Sequence, residues 1–146
     1  MKKLFAFAIV SLILTSCGIS TTLYYWGGSH KGITTYENLT YKNYDKQTPE
    51  SICELICMYE NMVSHPGGAR KIPPPGICAE YGYMLVIPEN AEIFAKYASD
   101  AQKRTFSTTD FASFFPERGK EMMLKEVELY PESDKFITPL VERLCK

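Results

Sequence analysis

The chain has 146 residues with 16 basic and 17 acidic side chains, so its formal net charge is −1. This near-neutral balance gives no electrostatic reason to expect nucleic acid as a partner. The 10 tyrosines, 8 phenylalanines and single tryptophan predict a folded domain rather than a disordered chain.

The N-terminal residues have the order of a cleavable export signal. Lys2 and Lys3 precede an apolar run over residues 4–14. Such a run is too short to cross a hydrocarbon core of about 30 Å as a helix. We therefore predict a signal peptide at residues 1–16, whose removal leaves a chain long enough for one domain.

Leu14-Thr15-Ser16-Cys17 closes the apolar run and resembles the lipobox of bacterial lipoproteins. The resemblance implies that Cys17 becomes the first mature residue, with a diacylglyceryl group on its thiol and an acyl chain such as palmitate on its amino group. Each buried methylene contributes about 0.8 kcal/mol, so two or three chains anchor a protein effectively permanently. A secretory signal followed by a chance cysteine is the alternative.

Gly18 stands where an aspartate would resemble an inner-membrane retention signal. The expected location is therefore the outer membrane, with attachment through the lipid anchor and the domain facing the periplasm. We divide the chain into a signal peptide at 1–16, the lipidated cysteine with a short linker at 17–22, and one domain at 23–146.

Residues 23–47 are rich in aromatic residues, glycine, threonine and asparagine and show no clean period, which predicts an irregular segment. Thr48 followed by Pro49 and Glu50 then marks the start of a helix of about 16 residues. Its apolar positions follow helical spacing: Ile52, Leu55, Ile56 and Tyr59, continued by Met62 and Val63.

The next two helices begin near prolines. A rigid Pro73-Pro74-Pro75-Gly76 stretch leads into a helix with Ile77, Tyr81, Met84 and Leu85 on one face. Gly82 lies inside that helix, and because glycine costs about 1 kcal/mol relative to alanine there, close helix packing is its expected reason. Pro88 opens a third helix, with apolar residues at 94, 95, 98 and 101.

Residues 105–115 predict a polar link and a short aromatic helix capped near Thr109 or Asp110, followed by a separate helix from Pro116 to Tyr130. Its charged residues at 120, 121, 125, 126 and 128 alternate as on a solvated face. Pro131 breaks it, and Ser133 is a candidate cap for a last helix with Phe136, Ile137, Leu140, Val141 and Leu144. The prediction is an all-α domain of five or six helices.

Four further cysteines allow three disulfide connectivities in an oxidising compartment: Cys53, Cys57, Cys78 and Cys145. Cys53 and Cys57 share one helix face, which favours a bridge from this pair to Cys78 over one between them. Buried free thiols are the alternative. C-x₃-C is an unusual spacing for zinc, so no metal site is predicted.

Three short segments carry a resemblance to a known family: Trp26-Gly27-Gly28 after Leu23-Tyr24, the turn at 72–76 leading into 79–83, and residues 128–133 with Phe136 and Leu140. They resemble small bacterial lipoproteins of domain-of-unknown-function family 4810. The resemblance implies helical hairpins of tetratricopeptide-like type and partners among envelope lipoproteins, including a curli-transporter-like one. It implies no catalytic activity and no cofactor.

This chain departs from a regular tetratricopeptide repeat in one place. Gly82 and Pro131 would take the repeat's Gly and Pro positions, but they are 49 residues apart where a repeat of about 34 residues allows about 24. Residues near 88–115 therefore look like an inserted helix and link.

The expected function is a non-catalytic protein–protein interaction or assembly module. Only His30 and His65 could act as bases near neutral pH, and neither belongs to a nucleophile motif. The alternative is peptidoglycan or glycan binding, because Tyr24, Tyr25 and Trp26 could stack on sugar rings. Packing of these three rings into the core is the simpler interpretation.

Overall fold

A computed structural model describes residues 21–145. The described chain contains seven α-helices: α1 (Thr35–Lys46), α2 (Pro49–Ser64), α3 (Ile77–Val86), α4 (Pro88–Tyr97), α5 (Asp100–Lys103), α6 (Phe111–Leu129) and α7 (Asp134–Leu144). The predicted all-α class is confirmed, with one helix more than the five or six expected. The predicted signal peptide and the lipidated Cys17 lie outside the described residues and stay predictions.

The prediction of an irregular segment over residues 23–47 is wrong in its second half. Strands β1 (Ser29–His30) and β2 (Ile33–Thr34) form a short antiparallel hairpin, and α1 follows directly. Thr34 caps α1 reciprocally with Glu37, so the two free backbone N–H groups at the helix start are satisfied locally. The sequence shows no clean period here because α1 buries none of its residues fully.

Helix α2 begins and ends as the sequence predicts and is the centre of the core. Thr48 caps it, Pro49 is its first residue, and its 16 residues end at Ser64. Its apolar face is buried between α1 on one side and α3 and α4 on the other. The stability of the domain therefore depends mainly on burial of this face.

Helices α3 and α6 pack most closely, and the expected reason for Gly82 is confirmed. A Cβ atom on Gly82 would lie 2.6 Å from the carbonyl oxygen of Gly119, and one on Gly119 would lie 2.7 Å from that of Gly82. Two glycines thus allow the backbones of α3 and α6 into contact. The tetratricopeptide-like character of this pair stays a prediction.

The residues between α3 and α6 contribute to the hydrophobic core. Helix α4 contacts both α2 and α6, and the short α5 contacts α2. Phe94, Phe106, Phe111 and Phe115 form one aromatic cluster, with ring centroids 5.0–6.1 Å apart. The predicted third helix extends only to Tyr97, and Ala95 and Ala101 are exposed rather than on its buried side.

A single helix replaces the predicted break at Pro116. Asp110 caps α6, as one of the two expected cap residues, and the helix continues through Pro116 to Leu129. Burial of Phe111 and Phe115 in the aromatic cluster fixes the first turns in line with the rest, which outweighs the missing proline N–H.

A 3₁₀ turn at Pro131–Ser133 joins α6 to α7. Ser133 makes no side-chain cap hydrogen bond, and Phe136 is exposed rather than packed. Among the described residues, no helix combines the length and apolar character needed to cross a membrane.

Candidate interaction surface

The aromatic residues at the start of the domain are docked on it. The carbonyl oxygen of Thr22 accepts a hydrogen bond from the Ala69 N–H at 3.0 Å, and a guanidinium N–H of Arg70 donates to the Tyr24 hydroxyl at 2.8 Å. Tyr24, Tyr25 and Trp26 are all half-buried. Thr22 and the aromatic residues that follow it are therefore part of the folded domain.

A chain of aromatic rings fastens α1 to α2 and α3. The Tyr36 ring lies 5.2 Å from that of Trp26 and 6.3 Å from that of Tyr59, whose ring stacks on Tyr81 at 5.8 Å. The Tyr36 and Tyr59 hydroxyls both donate to the Glu80 carboxylate, at 2.9 and 2.7 Å. Burial and the nearby Glu80 charge raise the pKa of Tyr36 to about 12 and that of Tyr59 well above its ordinary value, so both hydroxyls remain donors.

With its inner side fixed, α1 turns an aromatic surface outward. Tyr41 and Tyr44 are 74% and 82% exposed, and Ile33 just before the helix is 57% exposed. Tyr41 and Tyr44 lie four and seven residues after Glu37, which places the three side chains on one face of α1. We call Ile33, Glu37, Asn38, Tyr41 and Tyr44 the outer α1 surface.

Three adjoining depressions follow the outer α1 surface, and Glu37 lines all of them. Their volumes are about 440 Å³ beside Tyr41 and Tyr44, about 360 Å³ beside Ile33 and Asn38, and about 230 Å³ beside Trp26 and Tyr36. Hydrogen bonds from Thr34 hold the pKa of Glu37 below its ordinary value. The surface thus combines exposed rings with a fixed negative charge.

Beneath α1, a buried ion pair joins α2 to α6. The Arg118 guanidinium lies 2.9 Å from Glu60 and 2.9 Å from Glu121, and the Tyr81 hydroxyl donates to Glu60 at 2.6 Å. Ser64 also donates to Glu60. Burial and the Glu60 charge raise the pKa of Tyr81 well above its ordinary value. All these groups have partners, which indicates a structural role.

Glu126 is a buried acid that sequence analysis misplaced on the solvated face of α6. It is 2% exposed, and its Oε1 accepts a hydrogen bond from the Gly76 N–H at 2.7 Å. Gly76 is the N-cap of α3 and has no side chain to cap it, so α6 supplies the capping carboxylate. Burial raises the pKa of Glu126, against the opposing effect of backbone N–H groups at 76, 78 and 79. Only the missing cap residue at Gly76 hinted at this from sequence.

The predicted bridge from Cys53 or Cys57 to Cys78 is wrong, and all four described cysteines are free thiols. Cys53 faces the backbone of Ile93 in α4, and Cys57 faces that of Gln102 in α5. Cys78 lies on α3 against α6, as its interactions with Glu126 and Arg118 show. The pair and Cys78 therefore face different helices, which supports the alternative of packed thiols, with Cys145 half-buried after α7.

The two histidines lie apart from this surface chemistry. His30 is exposed in the hairpin, and His65 is exposed at the end of α2. Within residues 21–145, no three His, Cys, Asp or Glu side chains converge as metal ligands.

No family model matches the chain, and neither a curated protein nor a solved structure matches it. The resemblance to family 4810 accordingly stays a prediction.

Proposed function

We propose that this chain is a lipid-anchored, non-catalytic interaction module on the periplasmic face of the outer membrane, and that it binds another envelope protein through the outer α1 surface. The observation that carries the proposal is the pair of almost fully exposed rings, Tyr41 and Tyr44, on a helix whose inner side is fixed. Tyrosine is enriched at protein interfaces because one ring offers apolar area and a polar hydroxyl.

The anchor and the surface fit this role geometrically. Thr22 is hydrogen-bonded to the domain, so the predicted linker from Cys17 would be no longer than the five residues from Gly18 to Thr22. That tether reaches at most about 18 Å. A module held so near the bilayer meets other membrane-bound proteins, and the family resemblance suggests a curli-transporter-like lipoprotein among them.

The exposed aromatic side chains support a protein rather than a small molecule as the occupant. A specific protein interface buries about 800 Å² on each side, with aromatic anchors at its centre. Ile33, Tyr41 and Tyr44 extend from the hairpin along most of α1 and would supply such anchors. The depressions between them share Glu37 as a lining residue and could receive side chains of a partner.

Site-specific crosslinking in native envelopes tests this proposal. A photoreactive phenylalanine analogue replaces Tyr41 or Tyr44 in the full lipidated chain, and crosslinked species are identified by mass spectrometry. Tyr83, an exposed tyrosine of α3, is the matched control position. We expect one envelope protein to be captured from positions 41 and 44 and not from 83.

The anchor is tested in the same experiment. Cys17→Ala should abolish labelling by radioactive palmitate and reduce the yield of the crosslinked species. Capture of no protein from positions 41 and 44, or equal capture from 83, would contradict the proposed surface. An unlabelled wild-type chain would contradict the anchor instead.

Peptidoglycan or glycan binding is the second candidate, and the position of Trp26 favours it. Its half-buried ring lines the 230 Å³ depression together with Thr34, Tyr36 and Glu37. Aromatic faces beside polar groups suit sugar rings. Loss of sacculus binding in Trp26→Ala, with unchanged helical circular dichroism, would favour this function over the first.

A further inference from the structure

A second surface feature, remote in sequence from α1, is a cleft between α5 and the start of α6. It has a volume of about 920 Å³. Its polar lining consists of Asp100, Lys103, Arg104, Ser107, Thr108 and Thr109.

The floor of the cleft is rigid. Phe106 and Phe111 line it from below, and both are buried in the aromatic cluster, with Phe94 at ring distances of 5.2 and 5.0 Å. The loop above is held by the Phe106 N–H donating to the Lys103 carbonyl and the Asp110 N–H donating to the Thr108 hydroxyl. The cleft therefore exists before any ligand arrives, which lowers the cost of binding.

The two cations in the cleft are available to a ligand. Every ion pair among residues 21–145 involves other side chains, so neither Lys103 nor Arg104 is neutralised by an acid of the described chain. Lys103 and Arg104 both line the cleft, and an ammonium or a guanidinium there can bind carboxylate or phosphate oxygens through charge-assisted hydrogen bonds.

We propose that this cleft binds a sugar that carries a carboxylate. Lys103 and Arg104 take the carboxylate, while the Ser107 and Thr109 hydroxyls exchange hydrogen bonds with the ring hydroxyls. Asp100 accepts from a further hydroxyl, and its negative charge disfavours a doubly charged phosphate. This site is independent of the outer α1 surface, so either can fail without the other.

The test compares two sugars that differ only in a carboxylate-bearing lactyl group. N-acetylmuramic acid and N-acetylglucosamine are titrated against the full lipidated chain in detergent micelles, with binding followed by microscale thermophoresis. We expect saturable binding of the acid and at least about tenfold weaker binding of the neutral sugar, the usual effect of losing a charge-assisted hydrogen bond. Inorganic phosphate should compete poorly.

Variants distinguish binding in the cleft from nonspecific attraction of the acid to positive charge. The double variant Lys103→Gln with Arg104→Gln should reduce binding of the acid to the level of the neutral sugar. The variant Lys31→Gln with Lys46→Gln removes the same charge from exposed positions elsewhere and should bind like the wild type. Ser107→Ala with Thr109→Ala should weaken both sugars.

Several results would overturn the assignment. They are equal affinity for the two sugars, absence of saturable binding, an equal effect of the control charge variant, or displacement by phosphate at the same concentration as the acid. Circular dichroism of each variant shows that a loss of binding is not a loss of fold.

Discussion

Gly82 of α3 and Gly119 of α6 face each other, and a Cβ atom added to either residue would lie within 2.7 Å of the other's carbonyl oxygen. Because a backbone carbonyl cannot turn away as a flexible side chain can, an added methyl must separate the two helices. The contact between α3 and α6 is the most extensive in the fold, so the separation affects the whole core.

Gly82→Ala should therefore destabilise the domain by about 2–3 kcal/mol, as overpacking of a core does. The sign of the change in free energy distinguishes the two cases, because alanine in place of a helical glycine with free space around it would stabilise the helix by about 1 kcal/mol. Urea unfolding followed by circular dichroism measures the difference. An unchanged or raised free energy of unfolding would show that α3 and α6 are farther apart.

Arg118 neutralises the buried Glu60, so its removal should be costly. Arg118→Met leaves Glu60 without its charged partner, and we expect a loss of about 3–5 kcal/mol in the free energy of unfolding. Tyr81→Phe removes one hydrogen bond to the same carboxylate and should cost about 1–3 kcal/mol. Equilibrium unfolding in urea measures both variants.

A double-mutant cycle distinguishes an interacting pair from two separate effects. Glu60→Gln combined with Arg118→Met should lose less than the sum of the two single losses, because the unpaired buried charge no longer exists. Additive losses would mean that Glu60 and Arg118 do not interact in solution.

The sequence predicted the elements whose signals are local. Thr48 and Pro49 marked the start of α2, and the proline-rich turn before Gly76 marked α3, because caps and backbone constraints depend on adjacent residues. The close approach at Gly82 was also predicted from one residue, because glycine is unfavourable inside a helix unless a close contact compensates for it.

The sequence could not supply what depends on distant partners. In the sequence, Glu126 is one of several alternating charges on α6. Its role appears only in the fold, where the uncapped N-terminus of α3 lies against it. In the sequence, Pro116 predicts a helix break. In the fold, burial of Phe111 and Phe115 in the aromatic cluster keeps the helix continuous through it. Helix α1 has a capping box, but polar and apolar residues alternate on its inner side without a clear helical period, so the sequence did not predict it.

Glu126 should make the stability of the domain depend on pH. Its folded-state pKa lies above its ordinary value of 4.5 because of burial, so between these two values the folded state binds more protons than the unfolded state. The stabilising contribution of the protonated group is then present at low pH and is lost as pH rises through the folded pKa.

We therefore expect Glu126→Gln to become more stable relative to the wild type as pH rises from about 4 to about 7. Urea unfolding at a series of pH values gives the difference in free energy. Glu128→Gln is the matched control for removal of an acid, since Glu128 is an exposed acid two residues along α6. A difference for Glu126→Gln that does not change with pH would mean that this carboxyl is solvated.

The four described thiols have environments that predict a definite order of reactivity. Burial raises the pKa of Cys53 and Cys57 to about 11 and that of Cys78 to about 12. At pH 8 a thiol of pKa about 11 is only about 0.1% thiolate, the form that reacts. Cys53 and Cys78 are also closed to reagent, whereas Cys57 and Cys145 are half-buried.

Alkylation of the folded chain by iodoacetamide at pH 8 should therefore modify Cys145 and Cys57 long before Cys53 and Cys78, as measured by peptide mass spectrometry over time. After unfolding in urea without a reducing agent, all four should react at similar rates, because no disulfide holds them and their pKa values return to the ordinary range. A pair that stays unmodified in urea until a reductant is added would show a disulfide and contradict the packing of α2 against α4 and α5. Early modification of Cys78 would instead show that α3 and α6 separate readily in the native state.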